Sequence, residues 1–257
     1  MQRPVLNRSP KGTGKAFLLT LFSFDDHNST QNSHTVTLSN EVNMIEKIRD
    51  PMSCLLHLFG AIAALFYTIW AISKVIPFGS AYTVSFVIFG ASLIMLYTAS
   101  AVYHMMRVKD RALRILRRID HTMIFFLIAG TYTPVCVLPL RGAWGWSILS
   151  IVWGLALLGA FMKIFWLHAP RALSTGIYLV MGWIVVAAFY PLLKAISTKS
   201  FLLLLSGGLA YTLGAIIYAL KWPRLPVTWL GFHDIFHVFV LLGSTFHMLF
   251  MVQLFPA

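Results

Sequence analysis

A chain of 257 residues that is 58% hydrophobic, 14% aromatic and 11% charged is not a water-soluble globular domain, because such domains carry roughly a quarter charged residues. The same numbers exclude a disordered chain, a fibre and a coiled coil. Two distant cysteines, Cys54 and Cys136, offer neither a disulfide framework nor a thiolate metal knuckle. The surplus of 20 basic over 8 acidic residues is distributed as an orientation signal, not as a nucleic-acid footprint, so no nucleic-acid partner is expected.

In chain order, the charge-free windows define the elements. Twenty-three uncharged residues separate Asp50 from Lys74, and 32 separate Lys74 from Arg107. Twenty lie between Asp120 and Arg141, 21 between Arg141 and Lys163, and 22 between Arg171 and Lys194. Lys199 to Lys221 encloses 21, and 23 follow Asp234. A hydrocarbon core of about 30 Å takes roughly 20 apolar helical residues, and only helices or closed barrels satisfy their backbone in lipid. Each window therefore fits one span. The longest carries Pro77-Phe78-Gly79-Ser80 near its start, which sets its helix at about Ala81 to Met106. The expected fold is an all-α membrane protein, a bundle of seven transmembrane helices with connections too short for a second folded domain.

Basic residues set the orientation. Sixteen fall before the first span and in the connections after the second, fourth and sixth, against four (Lys74, Arg141, Lys194, Lys199) on the other side. This places the N-terminus in the cytoplasm and the C-terminus outside, with the cell membrane as the site of residence. Residues 1–45 read as a flexible cytoplasmic tail, and residues 46–257 as the seven-span domain. The apolar island at residues 16–22 is too short to span and no small-residue cleavage site follows it.

Ionisable groups at membrane depth are costly and mark function. His104 ends the second span, Asp120 and His121 open the third, His233 and His237 open the seventh, and His57 lies one turn inside the first; only His247 is deep. His233 and His237, four apart, project from one helical face. With His104 they supply the three imidazoles of a zinc site that keeps an open position. Ser100 shares the face of His104. Asp120 is suited to hold and deprotonate a water molecule at the site, and the electrophile would be an ester or amide carbonyl. The alternative reading leaves these as ordinary helix-end histidines. His121 and Asp234 are expected to face elsewhere, and His57 with Ser53 either supports the site or ties helices together. Haem has no matching histidines on a partner span, and an ion pathway would want acids near the midplane. Gly130, Pro134, Gly182 and Pro191 read mostly as packing positions.

The residues also carry a family resemblance. Ile48-Arg49-Asp50-Pro51 leads to His57; Ser100-Ala101-Val102-Tyr103-His104 is followed by Arg118-Ile119-Asp120-His121 and Ala129-Gly130-Thr131-Tyr132-Thr133-Pro134. Tyr178 to Trp183, Gly207 to Gly214, and His233-Asp234-Ile235-Phe236-His237 running to His247 complete the order. From about residue 48 to 250 the chain resembles the hemolysin III family, within the wider progestin and adipoQ receptors. That resemblance implies a seven-helix bundle with zinc near the cytoplasmic face. Its ligands would be His104, His233 and His237, with Asp120 reaching the ion through water and Ser100 beside it. By likeness to alkaline ceramidases and adiponectin receptors it implies a zinc-dependent hydrolase of a lipid amide or ester, with membrane lipids as partners. A sensor with structural zinc and a cytolytic protein remain the alternatives. Oligomeric state is not legible.

Overall fold

The computed structural model describes residues 48–166, 169–223, 225–227 and 230–256. The tail at 1–45, its island at 16–22 and Arg224 lie outside them. Seven helical stretches of 21 to 31 residues are long and apolar enough to cross a membrane: Pro51–Phe78, Ser80–Met105, Asp110–Leu140, Gly142–Phe165, Arg171–Ala195, Thr198–Leu220 and Phe232–Val252. They match the seven windows. The second begins within a residue of the expected start, after Gly79, whose φ of 97° lies where L side chains are strained. Among the described residues there is no strand. The chain is a multi-pass membrane protein. Large apolar side chains such as Phe59 and Phe66, each 69% exposed, face outward because lipid, unlike water, exacts no penalty for them.

Neighbouring spans pack in sequence from first to fourth, and the seventh closes the bundle by packing on both the sixth and the first. The fifth is held more loosely between the third and the sixth. Small residues permit the close approaches. A Cβ on Gly130 would lie 2.3 Å from Ser92 Oγ, and one on Gly207 would lie 2.2 Å from the His247 ring.

Besides the 3-10 turn Ile76–Phe78 that ends the first span, two spans depart from straight α-helix. The third runs as α-helix from Asp110 to Val135 and continues as a π-helical segment, Cys136–Leu140. Pro134 and Pro139 have no N–H to donate, so the ladder widens, and Arg141 N bonds Cys136 O five residues back at 3.0 Å. The fifth is α-helical over Arg171–Trp183 and Phe189–Ala195, with a 3-10 segment, Ile184–Ala188, between. Backbone freed at this depth needs another partner. Tyr132 of the third span supplies it: its hydroxyl donates to Gly182 O at 2.8 Å and accepts from Val185 N at 2.9 Å. Gly182 is therefore not the packing position expected of it. Nothing lies within 4 Å of where its Cβ would be, and it lines an internal cavity.

The fourth span offers a controlled test of close packing. A Cβ on Gly145 would meet Cys136 O at 2.2 Å, a backbone atom that cannot swing aside, whereas Gly154 has open space. Gly145→Ala is expected to destabilise the protein by about 1–3 kcal/mol, while Gly154→Ala is neutral or slightly stabilising. Thermal unfolding of the two variants in detergent checks the difference.

Candidate metal centre

His104 stands in the last turn of the second span, and His233 and His237 stand on the first two turns of the seventh. The bundle brings all three together. One ring nitrogen of each lies within 4.8 Å of the others. His233 Nε2 is 3.3 Å from His104 Nε2 and 3.1 Å from His237 Nε2. His104 and His237 are each 2% exposed.

Hydrogen bonding alone does not account for this arrangement. Each ring nitrogen has a single in-plane site that carries either a hydrogen or a lone pair. His233 Nε2 therefore pairs with one neighbour and not with both. A cation among the three satisfies every nitrogen at once. Two nitrogens held by a tetrahedral ion at 2.0–2.1 Å stand about 3.3 Å apart, which is the spacing found. The donor set, three imidazoles, is of the kind that suits zinc, copper, iron or nickel.

A residue outside the sequence-derived set fixes the first ligand. Asp50 precedes Pro51 at the start of the first span, where an aspartate reads as an ordinary helix cap, yet its side chain makes no cap hydrogen bond. Instead His104 Nδ1 donates to Asp50 Oδ2 at 2.9 Å, and Arg49 Nε donates to the same oxygen at 2.8 Å. Burial disfavours the ionised carboxyl, but the His104 and Arg49 hydrogen bonds and the Arg49 charge outweigh it and hold Asp50 below the usual carboxylate range. A carboxylate only accepts, so Nδ1 carries the hydrogen and Nε2 presents its lone pair to the cluster. Asp50 N also donates to His104 O at 3.0 Å, which ties the start of the first span to the end of the second.

The other expected residues sort by contact. Asp120 and Ser100 line the cavity shared with His233 and His237. Asp120 is not one of the group of mutually close ligand atoms. His57 supports His237 by stacking, with ring centroids 3.8 Å apart and planes 15° apart. Ser53 does something separate: its hydroxyl donates to Asp234 Oδ1 at 2.6 Å, and Asp234 Oδ2 accepts from Gly231 N at 2.8 Å. Asp234 thus caps the seventh span and, as expected, stays off the histidine face. His121 does not face elsewhere. It lines the same cavity, with Nε2 3.9 Å from Asp120 Oδ2, because the third span turns the whole of its 117, 120, 121, 124 stripe inward. His247 is buried in the seventh span, with Nε2 3.3 Å from Leu204 O.

Residues 45–248 match the family model described as Haemolysin-III related. The chain is 42% identical over 189 residues to the hemolysin-3 homolog of Bacillus subtilis (strain 168), covering 73% of this chain and 85% of that protein. It is 38% identical over 200 residues to hemolysin-3 of Bacillus cereus, covering 77% and 87%. A seven-span bundle, a matched stretch that takes in every residue of the histidine cluster, and identity at this level over most of both relatives place the chain in the hemolysin III family.

Proposed function

We propose that the protein is a zinc-dependent hydrolase of a lipid amide or ester. The observation that supports the reading is the convergence of His104 and His237 on His233 Nε2, an arrangement that a shared cation would satisfy. His104, His233 and His237 hold the ion, and the basic residues around this end of the bundle set it on the cytoplasmic side. A zinc ion in such a site acts as a Lewis acid towards a carbonyl oxygen and eases the deprotonation of water.

The chain's own residues supply the rest. Asp120 takes the proton from water in the cavity and returns it to the departing amine or alcohol. Ser100, on the wall of the same cavity, offers its hydroxyl to the water or to that carboxylate. His57, flat against His237, keeps the ligand ring from rotating. A lipid substrate is favoured by the way the cavities follow one another. The polar cavity shares Leu96, Ile124, Tyr178 and Phe236 with a largely apolar one of about 130 Å³. That second cavity shares Tyr132, Gly182 and His247 with a third of about 110 Å³. A headgroup at the metal end would thus leave its chain in an apolar track running towards the far side of the bundle.

The name hemolysin-3 borne by the Bacillus cereus relative favours a second reading, lysis of membranes. It requires purified protein to release a trapped dye from liposomes, and no release at high protein-to-lipid ratio removes it.

For the hydrolase, Asp120→Asn should lower turnover of a short-chain lipid amide about 100-fold or more while zinc content, measured by elemental analysis, stays near that of the wild type. Unchanged turnover would take Asp120 out of the mechanism. Asp50→Asn removes the charge behind His104 and is expected to weaken zinc binding about 10- to 100-fold in competition with a chelator. A triple substitution of His104, His233 and His237 by alanine should abolish binding altogether.

A further inference from the structure

The cavity beside the histidines has a second polar wall that hydrolysis of a neutral amide or ester leaves without a task. The third span presents Arg117, Asp120, His121 and Ile124 to it, and the fifth presents Arg171, Ser174, Thr175 and Tyr178. Both sets run i, i+3, i+4, i+7, one helical face each. Lys163, from the last turn of the fourth span, closes the wall between them.

Lys163 is the least expected of these residues. It is 2% exposed, and its Nζ donates to Ser174 Oγ at 2.5 Å. Among the described residues no carboxylate oxygen lies within 4.0 Å of Lys163, Arg117 or Arg171. A buried charge is normally paired, because an unpaired one forfeits its hydration without return; of the three cations this bears on Lys163, since Arg171 is part-buried and Arg117 exposed. Three cations and one carboxylate, Asp120, line the cavity, so two positive charges are left over. Arg171 is braced from behind: its guanidinium lies 4.5 Å over the Tyr218 ring and Nη1 donates to Tyr218 O at 3.3 Å. Among the described residues its remaining N–H groups make no other such bond. The Thr175 hydroxyl, buried on the same face as Arg171, has no hydrogen-bond partner among the described residues.

We infer that Arg117, Lys163 and Arg171, with the hydroxyls of Ser174 and Thr175, form a binding site for a phosphate group, and that the ligand of the cavity is a phosphate-bearing amphiphile. A phosphate carries up to two negative charges and several acceptor oxygens, which matches two surplus cations, two forked guanidiniums and an idle hydroxyl. A carboxylate would leave one cation unpaired, and a neutral headgroup would leave two. The apolar cavity that adjoins the wall takes the hydrocarbon chain. As a statement about substrate this rests on the hydrolytic reading; as a binding site it rests on the cationic wall alone.

The test uses the full chain, zinc-loaded, in maltoside micelles that contain no phosphate. Binding of dioctanoyl phosphatidic acid, dioctanoylglycerol and inorganic phosphate is measured by titration calorimetry. The phosphatidic acid should bind at least about tenfold more tightly than dioctanoylglycerol, and R117Q and K163M should each erase about tenfold or more of its affinity. Arg117 is exposed, so R117Q carries the test if K163M fails to fold. Equal binding of dioctanoylglycerol, or an R117Q protein with unchanged affinity, overturns the proposal. Inorganic phosphate binding as tightly as the lipid keeps the anion site and overturns the amphiphile. Assaying the wild type for lipid hydrolysis beside the titration separates the two readings. Phosphatidic acid bound by a wild type that hydrolyses no lipid supports this site and sinks the hydrolase; hydrolysis without preference for phosphate does the reverse.

Discussion

An aromatic ring nitrogen has one direction in which to bond, and His233 Nε2 is asked to serve two neighbours at once. Everything at this end of the bundle is arranged around that demand. The seventh span delivers two imidazoles by i, i+4 spacing, the second delivers the third, and the first supplies Asp50 and His57 from behind. No single helix could do this, because a third ligand on the same face would sit a further turn away. Without a shared cation the cluster would set three desolvated rings against one another, and a fold that placed them so closely would be working against itself.

The surroundings reduce the freedom of those rings. Asp50 fixes which nitrogen of His104 holds the hydrogen, and the first turn of the first span is anchored by the backbone bond from Asp50 N to His104 O. Asp234 finishes the seventh span at its start and reaches Ser53 on the first, so the two histidines ride on a turn held at both ends. Farther along the bundle rigidity comes from a different source. Gly130 and Gly207 let neighbouring helices approach closely, and Tyr132 mends the broken fifth span. That break is placed where cavities meet, since Gly182 and Trp183 line both the second and third of them. A straight helix there would have put side chains into the track.

The seven spans were legible because membrane insertion is a coarse requirement, met by length and the absence of charge. The histidines were legible because helical spacing and depth follow from position along a span. Asp50 was not, since an aspartate before a proline at a helix start has a plainer use, and only the fold shows its carboxylate turned to His104. His121 was misplaced for a related reason. Adjacent residues on a helix diverge by about 100°, so Asp120 and His121 look incompatible with one site, yet a cavity wide enough to subtend that angle receives both. The 3-10 break in the fifth span was hidden because its residues, Ile184–Ala188, are as apolar as a continuous helix would require.

Arg117, Lys163 and Arg171 show how one residue can answer two constraints. By count they belong to the positive side of the membrane, where a basic residue needs no other explanation. By position they belong to a cavity wall, and Lys163 is buried too deeply to act as a surface charge. Orientation requires that basic residues lie on a given side but is indifferent to where on that side they fall; a ligand is not. The periodicity of 117, 120, 121, 124 and of 171, 174, 175, 178 is the feature orientation cannot produce. A divalent ion held by the imidazoles would add further positive charge to the same space. One carboxylate, Asp120, then faces an environment that only an anionic guest can bring near neutrality, so the charge of the ligand is set by the walls before its chain is chosen by the track.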